Sequence, residues 1–209
     1  MIMIRRTLLL TIALSLAQFA THAQISISYS GSAGESNVVN SAGTATNGDT
    51  VSIGTFVNYD PTLPGNASDL SALQSHWLNF DSTTTRTIFG VDGRFAATSA
   101  AVNNSAFDGK QIYLWVTEGA GNNVTEYGLF TDAGSADWVF PAHDSAIPPN
   151  PISSNEINTF LFGDGISTGG TGATPGSLQT ALVAAVPEPS TFALVGVGLL
   201  LGGFWLRRR

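Results

Sequence analysis

From residue 24 onward, short apolar stretches alternate with clusters of Gly, Asn, Asp and Ser. Ile25, Ile27 and Tyr29 alternate with serines, and Val51, Ile53, Thr55 and Val57 repeat the two-residue period, which predicts half-buried strands. Residues 87–91 and 94–98 flank Asp92-Gly93, a pair that tolerates positive φ and so predicts a tight hairpin. Residues 111–117 (QIYLWVT) are apolar at both parities, the pattern of a central strand covered on two faces. Residues 124–131, 137–140 and 157–162 supply further strands, and Gly-Ala-Gly-Asn-Asn at 119–123 is turn chemistry. One stretch has another period. Leu70, Leu73 and Trp77 recur at helical spacing within 68–80, with Ser68 placed as N-cap and Asp69 in the first turn.

Many short strands, regular turns and one short amphipathic helix predict an all-β fold, an antiparallel β-sandwich. An outer-membrane barrel would need repeated strands of about ten residues with aromatic girdles, and these strands are too short and irregular. The body spans 24–163. Residues 164–185, which begin within GDGISTGGTGATPGS (163–177), are Gly-, Thr- and Ser-rich and read as a flexible linker.

Both ends read as addresses. Residues 1–23 combine Arg5 and Arg6, an apolar run over 8–20, and small residues at Thr21 and Ala23, the make-up of a secretory signal helix. Signal peptidase would cut between Ala23 and Gln24. The C-terminal stretch 186–209 has three parts: Val186-Pro187-Glu188-Pro189-Ser190-Thr191, an uncharged run over 192–206, and Arg207, Arg208 and Arg209. The prolines keep Glu188 extended, as a protease binds its substrate. The run enters the bilayer as a transmembrane helix, and the arginines stop transfer on the cytoplasmic side. Fifteen helical residues cover about 22 Å of a core of about 30 Å. Gly196, Gly198, Gly202 and Gly203 weaken the span further, which suits a transient segment better than a lasting anchor.

This tail resembles the PEP-CTERM sorting signal of Gram-negative bacteria that make exopolysaccharide. The resemblance implies recognition of Val186, Pro187, Glu188 and Pro189 by exosortase, an inner-membrane cysteine protease, and removal of the tail near that motif. It implies an exported protein with an inner-membrane intermediate, then an outer-envelope or extracellular-matrix location. It covers the tail alone.

Charge narrows the body's role. Residues 24–186 hold fourteen acidic side chains against three basic ones, Arg86, Arg94 and Lys110, a balance of −11. Nucleic-acid binding rests on neutralising phosphates with Lys and Arg, so it is excluded. The absence of cysteine removes disulfides, thiolate metal sites and cysteine nucleophiles. No catalytic set stands out: His76 and His143 lack metal-ligand spacing, and there is no G-x-S-x-G elbow. The expectation is a non-enzymatic envelope or matrix protein without a cofactor. Calcium on Asp132 and Asp137, or on Asp92 and Asp108, is the alternative for those turn acids. A carbohydrate-binding adhesin with Trp115 and Trp138 as stacking platforms is the second functional reading, and a glycosidase using two of the acids is the third.

Overall fold

The computed structural model describes residues 24–31, 36–100, 102–119, 123–145, 151–166 and 176–183. The expected signal helix and the expected transmembrane helix lie outside these residues. Among the described residues, no helix is long and apolar enough to cross a membrane.

The fold is all-β, with sheets stacked as a sandwich and one short helix. The strands are β1 (Ser28–Gly31), β2 (Val38–Val39), β3 (Thr50–Phe56), β4 (Trp77–Thr84), β5 (Arg86–Ile88), β6 (Val91–Thr98), β7 (Tyr113–Glu118), β8 (Glu126–Thr131), β9 (Ile152–Ser153), β10 (Thr159–Phe162), β11 (Asp164–Ile166), β12 (Ser177–Gln179) and β13 (Ala181–Leu182). The largest sheet runs β10-β8-β7-β3-β4, with β13 also on β8. A second runs β5-β6-β1-β9 and a small third β11-β12-β2. Pairing is antiparallel except for β1 with β9 and β12 with β2, which are parallel.

The apolar run at 111–117 becomes β7, between β3 and β8. Alternate side chains leave opposite faces of a strand. Leu114 and Val116 join Val51, Ile53 and Phe130 in the main core, where Ile27, Tyr29 and Phe95 meet them from the second sheet. Tyr113 and Trp115 go the other way, with Phe56, Tyr127 and Leu129, under Leu73 of the helix α1 (Leu70–His76). The Tyr29 hydroxyl donates to Asp81 Oδ2 at 3.0 Å, tying β1 to β4 across the sandwich.

Five local expectations are corrected. Asp69, not Ser68, caps α1: its backbone is non-helical and its side chain accepts from Ala72 N at 3.0 Å. The helix also stops at His76, because Trp77 pairs with Phe56 as the first residue of β4 and packs edge-on against the Phe56 and Trp115 rings, each 5.1 Å away. The hairpin turn is Phe89-Gly90 rather than Asp92-Gly93. Both turn residues have positive φ (51° and 75°), as a type I′ loop requires. Asp92-Gly93 lies inside β6 at a bulge, where pairing slips from Ile88↔Val91 to Arg86↔Arg94. Residues 137–140 are not a strand: Ala136–Trp138 is a 3-10 turn, followed by one bridge from Val139 to Gln111.

The fifth correction concerns the linker at 164–185. Part of it is folded: β11 pairs with β12, β12 with β2, and β13 with β8. Leu178 is 1% exposed and supplies the apolar anchor, while the buried Ser177 and Thr180 hydroxyls donate to Asn37 and Glu126. A polar segment can thus dock where a few side chains find buried partners.

At the bulge, Gly93 has φ 74° and a Cβ there would lie 2.1 Å from the Val38 carbonyl oxygen. Gly93→Ala is expected to cost about 2 kcal/mol through backbone strain and displacement of β2. A urea midpoint equal to wild type would refute that placement.

Candidate functional site

The described body reaches close to both expected processing boundaries. Gln24 is exposed, and Ile25 is already bonded, with Ile25 N to Val102 O at 2.9 Å and the return bond at 2.8 Å. At the other end Val183 N donates to Thr125 O at 2.9 Å, one residue past β13. Ala23, Val186, Pro187, Glu188, Pro189, Arg207, Arg208 and Arg209 lie outside the described residues. Eight residues separate Val183 from Phe192, a reach of at most about 30 Å in any conformation.

The seam that holds β13 is built around Glu126. Its Oε2 accepts from Ser41 N at 2.7 Å and from Thr180 Oγ1 at 2.7 Å, and its Oε1 accepts from Ser41 Oγ at 2.6 Å. Burial opposes its charge, but the Ser41 and Thr180 bonds outweigh it and leave the pKa below the ordinary glutamate value. Glu118 lies directly opposite Glu126 across the β7–β8 ladder. Burial first, then the charges of Glu126 and Asp49, push the Glu118 pKa up. Asp49 is raised chiefly by burial, with its bond from the Thr46 hydroxyl opposing and the Glu126 charge adding. Sequence reading missed this trio. A hairpin folded symmetrically about the turn at 119–123 would set Glu118 against Val124, whereas the observed register places it two residues further on, against Glu126.

The other candidate residues are dispersed among structural roles. Trp138 is fully buried and its Nε1 donates to Glu156 Oε2 at 3.1 Å. Trp115 is 5% exposed, and its buried Nε1 has no acceptor. Neither indole is available as a sugar platform, which corrects that placement. His76 stacks on Tyr59 at 5.0 Å and lies 3.0 Å through Nδ1 from Val57 O. His143 Nδ1 sits 2.7 Å from Asp108 Oδ2, a contact that raises the His143 pKa and lowers that of Asp108. Asp92 accepts from Asn47 Nδ2 at 2.8 Å and from the Thr87 hydroxyl. The backbone of the 132–137 loop is tied by Ser135 N to Asp132 O at 3.4 Å and by Asp137 N to Ser135 Oγ at 3.3 Å. Among the described residues no three of His, Cys, Asp and Glu cluster as a metal ion requires.

The chain therefore joins a β-sandwich body to a C-terminal tail that follows it almost at once. Residues 185–209 match the family model for the PEP-CTERM protein-sorting motif. Such a tail belongs to a secreted protein that exosortase processes and that ends at the cell surface or outside the cell. No curated protein matches the chain, and no solved structure does.

The acidic seam sets a pH dependence. Glu118 and Asp49 have raised pKa values, so on acidification the native state takes up their protons before the unfolded chain does, and stability rises. His143 is raised too; its contribution is present below the ordinary histidine value and lost as pH rises through the folded one. Glu126 runs the other way, its contribution being lost as pH falls through its lowered pKa. Thermal melts should show Tm rising from about pH 7 toward about pH 5 and falling below about pH 4. Glu118→Gln removes a like-charge cross-strand pair and should raise Tm at neutral pH by about 1–3 °C while flattening the rising limb. Identical profiles for the two proteins would show that the pair carries no repulsion.

Proposed function

We propose that the chain is an exported, non-enzymatic component of the outer envelope or extracellular matrix that associates with exopolysaccharide and works without a cofactor. Signal peptidase releases the body between Ala23 and Gln24. The run at 192–206 then holds the body outside the inner membrane, with Arg207, Arg208 and Arg209 left inside, because three guanidinium groups cross hydrocarbon only at high cost. Exosortase reads Val186, Pro187, Glu188 and Pro189 as an extended segment and cuts near it.

The observation that carries this reading is the sorting-motif match at 185–209 directly behind a body that is folded as far as Val183. Val183 and Pro187 are at most about 14 Å apart along the chain, so cleavage takes place beside the β13 edge. Pro187 and Pro189 cannot donate backbone hydrogen bonds, and they discourage the motif from extending β13 as further ladder.

Deleting 192–209 should leave a soluble, signal-trimmed body in the periplasm, as read by fractionation and intact mass. Replacing Pro187, Glu188 and Pro189 by alanine should instead trap a membrane-bound form that keeps Arg209. Recovery of wild-type surface protein still carrying Arg209 would defeat the proposal.

A further inference from the structure

The body holds three cations, and the fold sets two of them side by side. Arg86 and Arg94 are directly opposite each other in the antiparallel β5–β6 ladder, so both side chains leave the same face. Like charges in that position repel. Among the described residues neither has a carboxylate partner; the ion pair found there is His143 with Asp108. Asp92, two positions from Arg94, is turned to Asn47 and Thr87. Arg94 is only 7% exposed, and its buried Nε meets no acceptor. Arg86 is exposed and reaches the Ala96 carbonyl with Nη2 at a loose 3.5 Å. In a body with fourteen acids, an uncompensated arginine pair is a costly arrangement that an oxyanion would complete.

The surface beside the pair has the chemistry of a sugar site. Phe95 and Ala97 face the core, so Arg94, Ala96 and Thr98 share the outward face of β6. An open hollow of about 400 Å³ continues from Ala96 to Thr98 and across to Ser28 and Ser30 on β1. Its floor is small and hydroxyl-bearing, with Ser28 and Thr98 bonded to each other at 2.9 Å. At the tip of the same hairpin Phe89 is 82% exposed and held at a φ of 51° that bulky residues rarely adopt.

We infer that this face binds an anionic polysaccharide, its acid group held by the exposed Arg86 with the largely buried Arg94 behind it, and its sugar chain lying along the neighbouring hollow floored by Ser28, Ser30, Ala96 and Thr98. Guanidinium forks match carboxylate and sulfate oxygens, and the acids elsewhere on the body repel the same polymer, which confines it to this face. The inference rests on the proposed association with exopolysaccharide and names the polymer's charge class.

The test is affinity electrophoresis of the purified full-length chain in non-ionic micelles. Polygalacturonate and dextran sulfate are the probes, with methyl-esterified polygalacturonate and plain dextran as neutral controls. Wild type should be retarded by an acidic polymer and not by its neutral control, with retardation falling as salt rises. The tighter of the two acidic polymers tells carboxylate from sulfate. Arg86→Gln, at an exposed position, should weaken binding by about tenfold. Arg94→Lys keeps the charge and loses the fork, and should weaken it as well. Equal retardation by acidic and neutral polymers, or wild-type behaviour of Arg86→Gln, would overturn the site. Export and trimming of Arg86→Gln should be unchanged. Wild type that binds the polymer but never leaves the inner membrane would refute the location and leave this site standing. Wild type that reaches the surface and ignores both polymers would refute this site alone.

Discussion

Burial of both faces of β3, β7 and β8 places the rest of the body. Val51, Ile53, Leu114, Val116 and Phe130 need a cover on one side, and the sheet containing β1 and β6 provides it. Phe56, Tyr113, Trp115, Tyr127 and Leu129 need a cover on the other, which is why a single helix turn sequence sits between β3 and β4 and presses Leu73 into their midst. The crowding reaches the backbone. At Gly128 the Phe130 ring folds across the strand to within 2.3 Å of where a Cβ would stand, so β8 has room for Phe130 only because position 128 has no side chain. It also strands the Trp115 Nε1, which is buried in the aromatic cluster and meets no acceptor. The apolar contacts of that ring offset an orphaned donor.

Charge in the body is handled by hydroxyls and amides rather than by counter-ions. With three cations available, Glu126 relies on Ser41 and Thr180, Asp60 on Thr62, Asp92 on Thr87 and Asn47, and Glu156 on the Trp138 indole and Ser153 N. The Ser-, Thr- and Asn-rich composition is therefore the set of partners that lets an acid-rich body fold with one ion pair among the described residues, His143 with Asp108. Such partners are short, and many are adjacent in sequence to the group they serve, so little side-chain entropy is lost in ordering them. The arginine pair on β5 and β6 stands outside this scheme, which is why it draws attention as a ligand site rather than as a structural device.

Fold class was legible from the two-residue periods, and β7 from its apolar run, because both depend on local alternation. What the sequence hid depended on partners distant in the chain. Trp77 fits a helical period with Leu70 and Leu73, but its ring is claimed by Phe56 and Trp115, and that pulls it into β4. Asp92-Gly93 is good turn chemistry that a bulge used instead, because Val38 passes close by. The strands β11 to β13 are two or three residues each, with Leu178 as their buried apolar anchor, and no local pattern announces them. Parallel pairing of β12 with β2 joins residues about 140 positions apart. The tail was readable because its signal is linear: a protease and a bilayer read residues in order, without a fold to assemble them.

That contrast bears on the order of events at the membrane. Because β13 is zipped to β8 and Val183 is bonded to Thr125, the motif starts where the ladder ends, with no long arm between. A twenty-residue tether would have separated folding from cleavage. In the proposed membrane-tethered intermediate eight residues couple them instead: the body would fold within about 30 Å of the bilayer, with its β13 edge the part nearest the proposed cut. The Glu126 seam anchors that edge by bonds to Ser41 and Thr180 on two other segments, so tension on the uncut tail is shared with the 41 loop rather than borne by a two-residue strand alone. In that proposed intermediate, a segment held at one end by the body and at the other by the apolar run would have fewer conformations to lose when a protease binds it as an extended strand, which would lower the entropic cost of recognition.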